Sequence, residues 1–154
     1  MNIFAVNINP VTAAQDLHDR HVVKMVLESA QMLCTLARRY SDDVPYKPTH
    51  PRHPSTLWAG ETHSNAEWLY RHAMALCHEY THRFGKRHKS QDVIEAVAPK
   101  LIAALPEGPL TPFAQAMPDD CKRPDPVDGY RTYYRQHKLA GNRWTNRDRP
   151  AWAV

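Results

Sequence analysis

Residues 19 to 35, Asp-Arg-His-Val-Val-Lys-Met-Val-Leu-Glu-Ser-Ala-Gln-Met-Leu-Cys-Thr, constrain the fold more than any other stretch of the chain. Helical geometry advances roughly 100° per residue. On that wheel Val22, Val23, Met25, Val26, Leu27, Ala30, Leu33, Cys34, Leu36 and Ala37 cover more than half the circumference. Only a narrow stripe stays polar, formed by His21, Lys24, Glu28, Gln31 and Thr35 at spacings that share one helix face. A surface helix has the reverse proportions. This helix is therefore expected to be largely buried, with its stripe facing a cleft or a polar network. The stripe holds a base, an amine and a carboxylate, the types used for proton transfer and covalent chemistry. The plainer reading is that Lys24 and Glu28 form a surface pair of a few tenths of a kcal/mol, on the order of 0.3–0.5.

The rest of the chain supplies what must cover that helix. Met1 to Pro10 is short and apolar and reads as a strand or a tucked extended arm. Thr12 can cap a segment through about Leu17, and the central helix runs on to about Tyr40. Ser41 to Pro54 contains four prolines, so it reads as a stiff irregular connection. It carries Lys47, His50, Arg52 and His53, and loops on a rigid scaffold are where binding residues gather. A second long helix opens at Ser55 or Thr56 and stops near Gly85, with bases around its end. Along it Asn65, His72 and Glu79 recur every seventh residue, lining the same cleft or facing solvent. Ser90 can cap a helix over 91–105, a second proline-rich segment spans 110–126, and a last helix starts at Asp125 or Asp128 and ends near Leu139. The fold class expected is mainly α: one compact helical domain over 1–154, with a buried central helix and two long proline-rich loops.

The chain has a formal charge of +4 and a pI near 9.1, a mild bias toward polyanions. Arg131, Arg135 and Lys138, interleaved with Tyr130, Tyr133, Tyr134, Trp144 and Trp152, suit phosphate contacts and base stacking. The alternative is that the rings pack the last helix onto the core. Cys34, Cys77 and Cys121 are odd in number and far apart, which argues for a reducing compartment and against a disulfide framework. No stretch reads as a secretion signal or a membrane span, so a cytoplasmic location is expected. The pairs His78/His82, His18/His21 and His50/His53 have spacings known from metal sites, yet no third ligand is evident, and neither metal nor cofactor is expected.

Asp19-x-His21, with Glu28 nine residues after the aspartate, resembles the central helix of the pyrimidine-dimer DNA glycosylase family, the endonuclease V type of T-even bacteriophages. The Lys24-x-x-x-Glu28 spacing, the order of elements and the Arg149-Pro150-Ala151-Trp152 ending are similar too. The whole chain also resembles a group of bacteriophage proteins. The resemblance implies a helical enzyme that bends DNA, extrudes a nucleotide, cleaves the glycosidic bond through an amine–sugar imine and cuts the strand by β-elimination. It implies that Glu28 supports the proton transfers, and it would place a phage-encoded protein in the bacterial cytoplasm. The chain departs from the pattern at residue 2, where Asn is expected to leave Met1 in place. It departs again at Leu27 and Gln31, which stand where the family has bases.

The function expected is therefore a DNA N-glycosylase with abasic-site lyase activity. Its catalytic residues are Glu28, an amine from Lys24 or Met1, and His21. Its DNA contacts come from Arg20, Gln31, Lys47, Arg52, His53, Asn65, Arg131, Arg135 and Lys138. The partner expected is DNA, with no membrane and a monomer favoured. A base-modifying enzyme on the same scaffold and a non-catalytic nucleic-acid-binding or host-interaction protein are the alternatives.

Overall fold

The computed structural model describes residues 1–154 and contains helices and loops but no strand. The expected mainly α class is what the chain adopts. In chain order the helices are α1 (Pro10–Asp16), α2 (Asp19–Ala37), α3 (Pro54–Ala59), α4 (His63–Phe84), α5 (Gln91–Ala104) and α6 (Pro126–His137).

The reversed amphipathicity of α2 has the consequence expected of it. Of its 19 residues 13 are buried, and the helix packs on α4 and α5, while α4 also packs on α1. One apolar cluster joins the arm, the helices and Phe113 of the second proline-rich segment. Burying such side chains yields about 1.5–3 kcal/mol each for the larger ones, which is what holds a chain with 13 prolines together.

Local chemistry sets the ends of these elements. Asn9, not Thr12, caps α1: its Oδ1 accepts from the amides of Val11 and Thr12, and Pro10 takes the first helical position. α2 ends at Ala37, short of Tyr40, because Arg38 turns back and donates to the carbonyls of Val44 and Tyr46. The second long helix divides in two. His53 caps α3, and Thr62 caps α4 by accepting from the Asn65 amide. Gly60 lies at the break, where a Cβ would come within 2.7 Å of the Leu36 side chain; the close approach of α3 to α2 needs a glycine there. α4 stops at Gly85 with φ 71°, a left-handed cap. Ser90 precedes α5 without capping it, because its hydroxyl is bonded to Tyr46 instead. Asp125 caps α6.

Two non-helical segments lie against α2. The first proline-rich loop is pinned by Thr35, whose Oγ1 accepts from the Thr49 amide and donates to the Thr49 carbonyl. The N-terminal segment is a tucked arm and not a strand. Asn2 bonds Ala116 and Tyr130, and Val6 accepts from Arg131. Phe4 bends the arm at φ 59°, a region that costs an ordinary residue roughly 1–2 kcal/mol. Its ring offsets that cost by stacking on His21 with centroids 4.1 Å apart, among Tyr130, Tyr133 and Tyr134.

A candidate amine–carboxylate active site

The bent arm brings the chain terminus to the middle of α2. The Met1 α-amine lies 2.9 Å from Glu28 Oε1, and both side chains are almost fully buried. Lys24 reaches the other oxygen, Oε2, at 3.7 Å, but its side chain is 67 % exposed. Oε2 itself is buried and accepts no hydrogen bond. A buried carboxylate oxygen without a donor is costly, so this one is available to a proton or to a developing positive charge.

His53 completes the near surroundings. Its Nδ1 accepts from the Ser55 amide, so the neutral ring carries its proton on Nε2. Burial pushes its pKa down, the Met1 amine and His50 push the same way, and Glu28 opposes them. The ring therefore sits in the field of both members of the pair. Beside Glu28 along the helix, Gln31 and Leu27 line a shallow recess with Pro45, Tyr46, Lys47, Pro48 and Thr49. Arg20 and Arg52 are exposed on the α2 start and the loop.

Other expected site residues have different roles. His21 is not on an open polar face. It is buried, its Nδ1 is 2.7 Å from the Tyr134 hydroxyl, and its ring lies between those of Phe4 and His18. Burial and the nearby charges of His18, Lys138 and Lys24 push its pKa down to about 2, so it stays neutral and anchors the arm. Asn65 is fully buried, with its amide bonded to Trp58 and Thr111 and its carbonyl accepting from Thr111; every polar atom is engaged inside the fold. His72 and Glu79 are buried as well, so the seventh-residue series neither faces solvent nor lines the site. Asp19 serves as an anchor, holding Arg83 and the backbone and hydroxyl of Thr145.

The basic C-terminal region is divided. Tyr130 and Tyr134 are buried, and Trp144 and Trp152 donate to the carbonyl and carboxylate of Asp16, so these rings pack the protein. Arg131 donates to Val6 and lies over Trp152, and Lys138 lies over Tyr133. Arg135 is exposed and touches the Trp152 carbonyl.

A model of the pyrimidine dimer DNA glycosylase family matches residues 1–92 of the 154. The chain belongs to that family. It is a DNA glycosylase by family, with DNA as its substrate class. The match takes in Met1, Glu28 and His53 and stops at the start of α5, so α6 and the tail of this glycosylase lie outside it. No curated protein and no solved structure matches the chain. No helix of this glycosylase is long and apolar enough to cross a membrane.

The role of the arm had only a weak signal in the sequence. Phe4, Asn2 and Tyr130 position the amine, yet nothing in their spacing relates them. They meet through contacts more than 100 residues apart along the chain.

Proposed function

We propose that the protein excises a base from DNA and cleaves the resulting abasic site, using the Met1 α-amine as nucleophile and Glu28 as its proton carrier. The reading is carried by the 2.9 Å contact between that amine and a buried carboxylate. Two amines compete for the role. Lys24 is farther from Glu28 and mostly exposed.

In the proposed sequence Glu28 takes a proton from the terminal ammonium, the freed amine nitrogen bonds to C1′ of an extruded nucleotide as the glycosidic C–N bond breaks, and the base leaves with the proton that Glu28 held. Glu28 takes the adduct's ammonium proton and returns it to the ring oxygen as the sugar opens to an imine. Glu28, again a carboxylate, then takes a C2′ proton as the 3′ phosphate is expelled by β-elimination. The imine is hydrolysed to release the enzyme. His53 Nε2–H, beside the pair, is suited to hold the departing base or the sugar oxygen. The exposed Arg20, Lys47 and Arg52 are suited to phosphates, with Gln31 at a base edge and Arg135 and Lys138 farther along the duplex. Extrusion costs a few kcal/mol and favours bases that are damaged or poorly paired.

The test is imine trapping. The protein, its N-terminal residue verified by mass spectrometry, is incubated with a duplex containing one abasic site and treated with borohydride. A covalent adduct is expected on the N-terminal peptide, and blocking the α-amine should abolish it. An adduct mapped to Lys24 would transfer the nucleophile's role, and no adduct alongside intact DNA binding would overturn the lyase reading.

A further inference from the structure

Cys121 does not behave like the other two cysteines. Cys34 and Cys77 are buried within the apolar core cluster, whereas Cys121 is fully covered yet stands outside it. Its thiol points at the Gln136 Oε1, 3.3 Å away, and lies 4.0 Å from the Asp120 carboxylate. Asp120, Gln136 and His137 are themselves exposed. The sulfur is thus hidden under a single layer of polar side chains. A thiol used as a small apolar filler would be covered by carbon.

Two of those side chains, Asp120 and His137, are, like the thiol, of types that bind metals. One ligand atom each from Asp120, Cys121 and His137 lies within 4.8 Å of the others. Tetrahedral zinc needs its ligands about 2.0–2.3 Å from the ion, a contraction that rotamer adjustment of the two exposed side chains supplies. The backbone beneath the sulfur is already set: Cys121 donates to Pro118, and Arg123 donates to the Asp120 and Lys122 carbonyls.

We infer that Asp120, Cys121 and His137 form a zinc site that clips the second proline-rich segment to the end of α6. Binding releases the thiol proton to solvent. Thiolate and carboxylate then balance the dication, and the neutral imidazole is the third ligand. Gln136 Oε1, already 3.3 Å from the sulfur, fills the fourth position, and a site closed by four protein ligands is a structural clip. α6 carries the tyrosines that hold the N-terminal arm, so the clip steadies the helix on which the arm leans. The histidine pairs suggested by spacing do not gather a third ligand.

The experiment uses the full chain after chelator treatment, titrated with cobalt(II) and then zinc. One cobalt per chain is expected, with a thiolate-to-cobalt charge-transfer band that zinc removes. Cys121→Ser should abolish the band. His137→Ala, at an exposed position where folding is retained, should weaken cobalt at least roughly tenfold and remove the rise in Tm that zinc gives the unaltered protein. If Cys121→Ser does not fold, His137→Ala and Asp120→Asn decide. No cobalt band in the unaltered protein, a band that persists in Cys121→Ser, or unchanged affinity in His137→Ala would each overturn the site.

Discussion

Glu28 and Glu79 are both buried carboxylates on long helices, and both face cations. They differ in how completely they are satisfied. Glu79 Oε1 accepts from Arg83 and Arg147 at 2.9 Å each, and its Oε2 accepts from Arg147 at 2.7 Å. Arg83, fully buried, also holds Asp19 and the Gln15 carbonyl. That network binds α1, α2, α4 and the tail, and it leaves no oxygen free. Glu28 has one close partner, the terminal amine, and an oxygen with no donor. Saturated buried charge fixes structure, while a carboxylate left partly unpaired beside an amine retains capacity for chemistry.

The sharpest way to test this contrast is to neutralise each carboxylate in turn. Glu28→Gln keeps an acceptor for the amine, so the fold should survive. Single-turnover base release should drop by roughly 10²–10⁴-fold, the usual range for a lost acid–base group. A variant with unimpaired turnover would remove Glu28 from the mechanism. Glu79→Gln should do the opposite. It strands part of the charge on Arg83 and Arg147, and denaturant unfolding should show a loss of about 3–5 kcal/mol, with turnover per folded molecule unchanged.

Acid separates the same two regions by cause. Burial pushes His18 down to about 4 and His72 down to about 4, and pushes His21 lower still. Between these values and the ordinary 6.5 the unfolded chain binds more protons than the folded one, so stability falls as pH drops from about 6.5 toward 4. Burial alone would raise Asp19 and Glu79. Hydrogen bonds from Thr145 and Arg83 outweigh it at Asp19, and those from Arg147 and Arg83 outweigh it at Glu79, leaving both low. Their contribution is present above the ordinary carboxylate range and disappears only on further acidification. Thermal melts from pH 7 to 3 should therefore decline in two stages, the first of them absent if the histidines are not held neutral.

Smaller effects should come from the periphery. Lys24→Ala removes a mostly exposed partner, with an expected stability change within about 0.5 kcal/mol and the trapped adduct retained. Neutralising Arg135 and Lys138 should weaken DNA binding and flatten its salt dependence by about one unit of log–log slope per lost phosphate contact, measured by titration at several salt concentrations. Loss of the imine in Lys24→Ala would shift the chemistry away from the terminal amine.

The sequence by itself determined the helical class, the burial of α2 and the prominence of Glu28. Each follows from local periodicity and from the scarcity of polar residues on one helix, which contacts elsewhere cannot reverse. The second long helix was legible in its stop at Gly85 but not in its division at Gly60, because the crowding comes from Leu36 on a different helix. Asn65, His72 and Glu79 shared a visible spacing, yet spacing cannot tell a saturated interior from a cleft. Only the tertiary structure decided that a second amine, that of Met1, lies closer to Glu28 than Lys24 does. Lys24 is fixed near it by one helical turn, whereas Met1 arrives through a bend at Phe4 anchored by α6, from the far end of the chain. Such contacts depend on the path of the backbone, and no local pattern encodes that path.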